Sequence, residues 1–331
     1  MSLQSDLTAP TPSSEEKGPG SGEIPMVAIF GPTGVGKTEV AIELGQLIAK
    51  QGGLAVAVNC DSIQVYRGLE LISGAADARQ QKLLEHRLIS FVPVDEECSA
   101  GRYSELAHAE IDSLMSQGAL PILVGGTGLY LRGALTEMKF RPPVPVEVRV
   151  AVEAEMQERG AKAVHSELPE HLRERIHPND RSRVARAAEL RAIGQEPAPD
   201  HAGGGELWTA KLRRPSLLVG LVEEEGELRK RIGARVCEMA SAGADEEAKA
   251  ALDAGASRTA RAAIGFAEFL ADDPDLAATR HWQYARRQMT WMRRMEGVKV
   301  LERSGRDDQS LAQSVLELAM GAHNAGNSPS G

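Results

Sequence analysis

Aromatic residues are scarce in this chain: Phe, Trp and Tyr together make up 4% of its 331 residues. The core must therefore be built mostly of Leu, Val, Ile and Ala, which the 42% hydrophobic content can supply. Cysteine is scarcer still. Cys60, Cys98 and Cys237 lie far apart, and no C-x-x-C pair occurs. That pattern argues against a zinc knuckle or a disulfide framework and fits a reduced cytoplasm, with all three read as buried bystander thiols. No apolar run approaches the ~18–20 residues of a membrane span, and no basic-then-apolar signal opens the chain. A cytoplasmic protein without a membrane partner, acting as a monomer, is expected.

Positive charge is also short overall. A net charge of −9 argues against a simple nucleic-acid binder, which usually shows a basic face. Yet arginine is gathered locally. Between Arg173 and Arg191 there are six Arg against three acids, and between Arg280 and Arg294 five Arg and no acid.

What is present is organised by Gly31-Pro32-Thr33-Gly34-Val35-Gly36-Lys37-Thr38. This fits G-x-x-x-x-G-K-[ST], a loop that wraps phosphates in backbone N–H groups. Lys37 would reach the terminal phosphates and the Thr38 hydroxyl would hold Mg²⁺. An apolar run at 26–30 (MVAIF) reads as a buried strand before it, and 38–50 reads as a helix after it. The helix N-terminus adds to the anion site. A ligand-free glycine turn is the bland alternative.

Further strands are expected at 54–59, 121–124 and 216–221, and a short one at 86–92. In a parallel sheet, ligands sit beyond the carboxyl ends of strands. Asp61, after the second strand, and Thr127, after the strand at 121–124, therefore fall on the rim with the phosphate loop. Helices are expected at 103–117, 225–242, 245–254, 260–271 and 281–295, the last with Trp282, Ala285, Met289 and Met292 as one apolar stripe. Prolines at 142, 143 and 145 break the pattern, and a charged helical stretch follows to a loop at 197–205. The fold class is α/β, a P-loop-containing parallel sheet flanked by helices, with an inserted helical domain. The core occupies 24–139 and 206–320, the insertion 140–205, and disordered ends 1–23 and 321–331.

Several stretches, in order, resemble the tRNA dimethylallyltransferase (tRNA isopentenyl transferase) family in its bacterial form. They are 31–38 (GPTGVGKT), 61–68 (DSIQVYRG), 123–131 (LVGGTGLYL), 175–186 (RIHPNDRSRVAR), 231–235 (RIGAR), 263–270 (AIGFAEFL) and 283–294 (QYARRQMTWMRR). The resemblance implies transfer of a dimethylallyl group from dimethylallyl diphosphate to N6 of the adenosine 3′-adjacent to the anticodon, with Mg²⁺ as cofactor. The phosphate loop would then hold a diphosphate leaving group rather than ATP. Arg235 would close that cradle, unless it is a solvated helix charge. Asp61 would accept the proton of the amine, a poor nucleophile; a helix cap or a water-bridged Mg²⁺ ligand are the alternatives. Thr127 would hydrogen-bond a substrate at the reaction centre, or merely stabilise a turn. Ser62, Ile63 and Gln64 adjoin the base, with Gln64 suited to the adenine N6/N7 edge. Arg149 and the run Ser182, Arg183, Val184, Ala185 and Arg186 match positions that contact the tRNA anticodon stem-loop. His177, a lone histidine, reads as structural.

The chain departs from the family after Gly68, where Leu71 to Ala76 (LISGAA) replaces a Gly-Thr-Ala-Lys run, and at Ser90, where the family has an acid. Three other readings share the phosphate loop. A small-molecule kinase leaves 61–64 and the insertion unexplained. A prenyltransferase acting on free adenosine nucleotides would not need the insertion. A nucleotide switch would want an Asn-Lys-x-Asp, which is absent.

Overall fold

The computed structural model describes residues 26–138, 140, 144–195 and 211–326. The leader at 1–23 and the loop at 197–205 lie outside the described residues. Strand β1 (Met26–Phe30) is buried at every residue, as expected of a parallel strand covered on both faces. The glycine loop follows, then α1 (Lys37–Lys50), β2 (Leu54–Asn59), α2 (Glu70–Ser73) and α3 (Ala78–Leu83). Strand β3 is only His86–Arg87. Helix α4 (Ala100–Ser116) leads to β4 (Ala119–Gly125) and α5 (Gly128–Leu135).

The chain then leaves the sheet for four helices: α6 (Val146–Glu158), α7 (Ala161–Ser166), α8 (Glu170–Arg173) and α9 (Arg181–Ala192). It returns with β5 (Ser216–Val222), α10 (Glu225–Ser241), α11 (Ala244–Asp253), α12 (Arg258–Arg261), α13 (Phe266–Leu270) and α14 (Pro274–Met292). Strand β6 (Lys299–Glu302) and α15 (Asp308–Gly326) complete it.

All six strands are parallel, in the order β3-β2-β4-β1-β5-β6. Alternation along β1 divides the core in two. Met26, Ala28 and Phe30 face a cluster with Tyr103, Ile111 and Leu131, whereas Val27 and Ile29 face Leu44, Leu311 and Val315. Because β2, β4 and β1 are neighbours, the loops after them emerge side by side. That adjacency builds the site.

Several expectations need correction. The strand at 86–92 stops at Arg87 because Leu88 and Ser90 take left-handed backbone (φ 57° and 48°). The helix expected at 260–271 is broken in two at Gly265, whose φ is 100° and whose N–H is held by Glu268. Helix α14 starts earlier than 281, with Asp273 capping Leu276 N–H and Pro274 in the first turn. The edge strand β6 was not expected, and α15 runs past Gly321 into the segment expected to be a disordered tail. Cys60 and Cys98 are buried, but Cys237 is exposed.

The insertion has its own small core, in which Val152 and Met156 of α6 meet Val184 and Ala185 of α9. It is joined to the sheet domain by charge. Glu97 pairs with Arg149 of α6 and lies 3.8 Å from Arg258 of α12. Glu189 of α9, 2% exposed, takes Arg186 at 3.3 Å and Arg258 at 3.6 Å. Glu189→Ala removes the shared acid, but both arginines can turn to water. Its expected cost is therefore about 1–3 kcal/mol, read as a lower urea midpoint.

Candidate active site

Residues at three strand ends and on helices α1, α2, α10 and α14 surround a cleft of about 840 Å³. Gly36 ends the phosphate loop with φ 91°, and a Cβ there would lie 2.3 Å from Arg303 Nη1. Arg303 donates to Val35 O at 3.1 Å and Arg231 Nε donates to Gly34 O at 2.9 Å. Both carbonyls are thus tied from outside the loop. Thr33, Gly34, Gly36, Lys37 and Thr38 line the cleft. Val35 is buried, and Gly31 and Pro32 give their carbonyls to Lys37 Nζ at 3.2 and 2.9 Å.

Lys37 and Arg235 share this cleft. Burial pushes the lysine down to about 8, the Arg235 charge pushes it the same way, and Asp61 and Glu39 oppose. Arg235 is likewise lowered by burial and supported by Glu39, Asp61 and Glu238. Its Nη2 donates to Gly74 O at 3.2 Å and Ser73 O at 3.4 Å. It is thus a half-buried cation bonded to the cleft wall, not a solvated helix charge. Gly74 makes room for it, since a Cβ there would lie 1.6 Å from Nη2. The LISGAA departure therefore supplies the seat of Arg235.

Asp61 lines the cleft. Its Oδ1 accepts from Ile63 N at 2.9 Å, while Asn59 Oδ1 accepts from Asp61 N at 3.0 Å and Asn59 Nδ2 donates to Asp61 O and Leu88 O. The buried Asn59 thus fixes the turn that aims Asp61. Ser62, Ile63 and Gln64 also line the cleft. The Gln64 amide nitrogen, however, donates to Gly74 O at 3.1 Å. It also reaches Ser73 O at 3.4 Å, so both of these carbonyls compete with the expected two-bond reading of an adenine edge. Thr127 Oγ1 accepts from Ser62 N at 3.1 Å and lies 3.4 Å from Tyr284 Oη. It does not itself line the cleft; it ties together two residues that do.

Helix α14 contributes what the sequence reading missed. Its face toward the cleft carries His281, Tyr284 and Gln288, positions lying beside the expected apolar stripe. Gln288 Oε1 accepts from Thr33 N at 2.8 Å and its Nε2 donates to Gly126 O at 2.9 Å, clamping two rim loops. Burial and the Arg235 charge push His281 down to about 4, so it is neutral at neutral pH. Helical spacing of three and four along 281, 284 and 288 was the available signal.

The insertion residues lie outside the cleft lining. Val184 is fully buried and Ala185 5% exposed, so their side chains pack inward rather than onto a partner. Arg149 is occupied by Glu97 and by Val144 O. Ser182 and Arg183 are exposed, and Arg183 lies 3.4 Å from Asp180. His177 is exposed and accepts from Asn179 N, a turn contact in keeping with a structural role. No group of three or more His, Cys, Asp or Glu able to hold a metal occurs among the described residues.

Free Lys37 is charged below about pH 8 and neutral above it. A bound anion favours the charged form. Affinity for inorganic diphosphate should therefore fall by up to about tenfold per pH unit above that point. Lys37→Ala should bind more weakly and lack that loss; calorimetric titration of both across the range checks this.

The family model described as IPP transferase matches residues 64–295. A tRNA dimethylallyltransferase of Thermobifida fusca is 34% identical over 81% of this chain and 87% of its own length. One from Anaeromyxobacter dehalogenans is 37% identical over 82% and 93%. The solved tRNA isopentenylpyrophosphate transferase of Bacillus halodurans is similar with a TM-score of 0.64 and 26% identity, covering 92% of this chain and 99% of that one. A eukaryotic dimethylallyltransferase, solved acting on tRNA, shares the fold with a TM-score of 0.69 at 22% identity, covering 92% and 80%. With its parallel sheet, its phosphate loop and these relatives, this chain belongs to the tRNA dimethylallyltransferase (IPP transferase) family.

Proposed function

We propose that the protein transfers a dimethylallyl group from dimethylallyl diphosphate to N6 of the adenosine 3′-adjacent to the anticodon in tRNA, releasing diphosphate. The observation that carries this reading is a single cleft holding two half-buried cations, Lys37 and Arg235, together with the carboxylate of Asp61. The adenine amine attacks the allyl carbon as its bond to the diphosphate oxygen breaks. Asp61 takes the proton from N6. Lys37, Arg235 and the loop N–H groups receive the charge that develops on the leaving diphosphate.

Mg²⁺ would neutralise part of that charge. The Thr38 hydroxyl at the start of α1 is the protein group that would hold it. The absence of a three-acid cluster among the described residues fits an ion held largely by substrate. The target base must leave its stack to reach Asp61, as chemistry on a base requires. The exposed arginines of α9 would grip stem-loop phosphates meanwhile.

Incubating the protein with tRNA, dimethylallyl diphosphate and Mg²⁺, followed by mass spectrometry of the nucleosides, tests the proposal. One adenosine gaining a C5H8 unit is expected; efficient ATP hydrolysis with no modified adenosine would favour a kinase. Asp61→Ala should lower turnover by ~10²-fold or more while tRNA binding stays near wild type. Replacing Arg183 and Arg186 by Ala should weaken all tRNA substrates about equally and reduce the salt slope by roughly 0.7–0.9 per lost phosphate contact. Binding curves at several salt concentrations read both effects.

A further inference from the structure

The loops of the rim supply charge and a base but no flat surface. Tyr284 is the one Phe, Tyr or Trp among the residues lining the cleft. Its ring is half-buried, and its hydroxyl lies 3.4 Å from Thr127 Oγ1, which is itself bonded to Ser62 next to Asp61. The ring is therefore held in place before any ligand arrives. The guanidinium of Arg287, an exposed residue that also lines the cleft, lies over the ring at 5.6 Å from its centroid.

Such a ring could serve either of the two reacting groups. It could face the allyl carbon, which gains positive charge as its bond to oxygen breaks, or it could stack against the base. Cation–π attraction draws on the electron density of the ring face. Arg287 already uses that density, and its own charge repels a second cation, so the allyl group gains little here. A neutral purine behaves differently, because aromatic rings and guanidinium planes are both surfaces on which unstacked bases lie.

We propose that Tyr284 and Arg287 form the platform that receives the extruded purine, with its amine directed toward Asp61. The proposal rests on the tRNA reading above and adds to it the residues that hold the base. Because the Gln64 amide nitrogen is engaged by the carbonyls of Ser73 and Gly74, stacking on the ring supplies much of the hold.

The test uses two anticodon stem-loops, one with adenosine at the target position and one with 2-aminopurine there, which lacks the reacting amine. Tyr284→Leu should raise the KM for the adenosine stem-loop about tenfold and leave the KM for dimethylallyl diphosphate unchanged. The 2-aminopurine complex should brighten in this variant, because the aromatic quencher is gone. Tyr284→Phe should keep both wild-type values for the RNA, which separates the ring from its hydroxyl. Arg287→Gln, at an exposed position that tolerates change, should raise the stem-loop KM severalfold and leave the donor KM unchanged, and it carries the test if Tyr284→Leu does not fold. The proposal is overturned if Tyr284→Leu leaves stem-loop KM and emission at wild-type values, or if donor KM rises in place of RNA KM. Wild-type protein that fails to alkylate the stem-loop refutes the functional reading separately, since the emission measurement needs no turnover.

Discussion

Lys37 and Arg235 are both half-buried on the cleft wall, and neither is hydrogen-bonded to a carboxylate among the described residues. Burying an unpaired charge is costly, and much of the surrounding structure offsets that cost. Backbone carbonyls of Gly31 and Pro32 take the ammonium, and those of Ser73 and Gly74 take the guanidinium. Glu39, Asp61 and Glu238 act on Arg235 through their fields without neutralising it. The arrangement costs stability and leaves two positive charges facing one cleft, which is what the diphosphate site proposed above requires.

Such a cradle works only if it is rigid, because donors that must reorganise lose their advantage at the moment of reaction. Here the rigidity comes from behind. Arg231, Arg303 and Gln288 reach the loop from α10, from the turn after β6 and from α14, and each holds a backbone group of the phosphate loop. Arg303 is itself pinned by Asp308 at 2.7 Å, with Glu223 at 3.8 Å. The exposed edge strand β6 and helix α15 thereby act on the site they do not touch. Arginines in the insertion divide along similar lines. Arg149 and Arg186 are paired to acids that join the insertion to the core, and Arg183 is the more open to a partner, with a side chain 72% exposed.

The elements read well from the chain wherever the signal was local. Strand β1, helix α1, strand β2 and the glycine loop follow from a short apolar run, helical spacing and the G-x-x-x-x-G-K-[ST] pattern. Helix α15 was not expected, although Leu311, Ala312, Val315 and Leu316 are spaced as one apolar face. Strand β6 was not legible, because none of its residues is buried and it carries no apolar alternation. The break between α12 and α13 turns on one glycine taking a left-handed backbone, which the same letters permit but do not require. Val184 and Ala185 share a motif with exposed arginines, and only their packing against α6 shows which way each side chain points.

Local chemistry in the chain was therefore enough to give the phosphate-loop pattern, the strand ends that carry Asp61 and Thr127, and the family. Strand order was beyond it, because a buried apolar run names no neighbour: β4 lies between β1 and β2 although it comes later in the chain. That order brings the three rim loops together. Folding also turned Arg235 onto the carbonyl of Gly74, occupied the amide of Gln64, and laid α14 across the cleft with Tyr284 and Gln288 facing inward. Each of these is a contact between segments far apart in sequence, where position in space, and not residue type or spacing, decides what a side chain can reach.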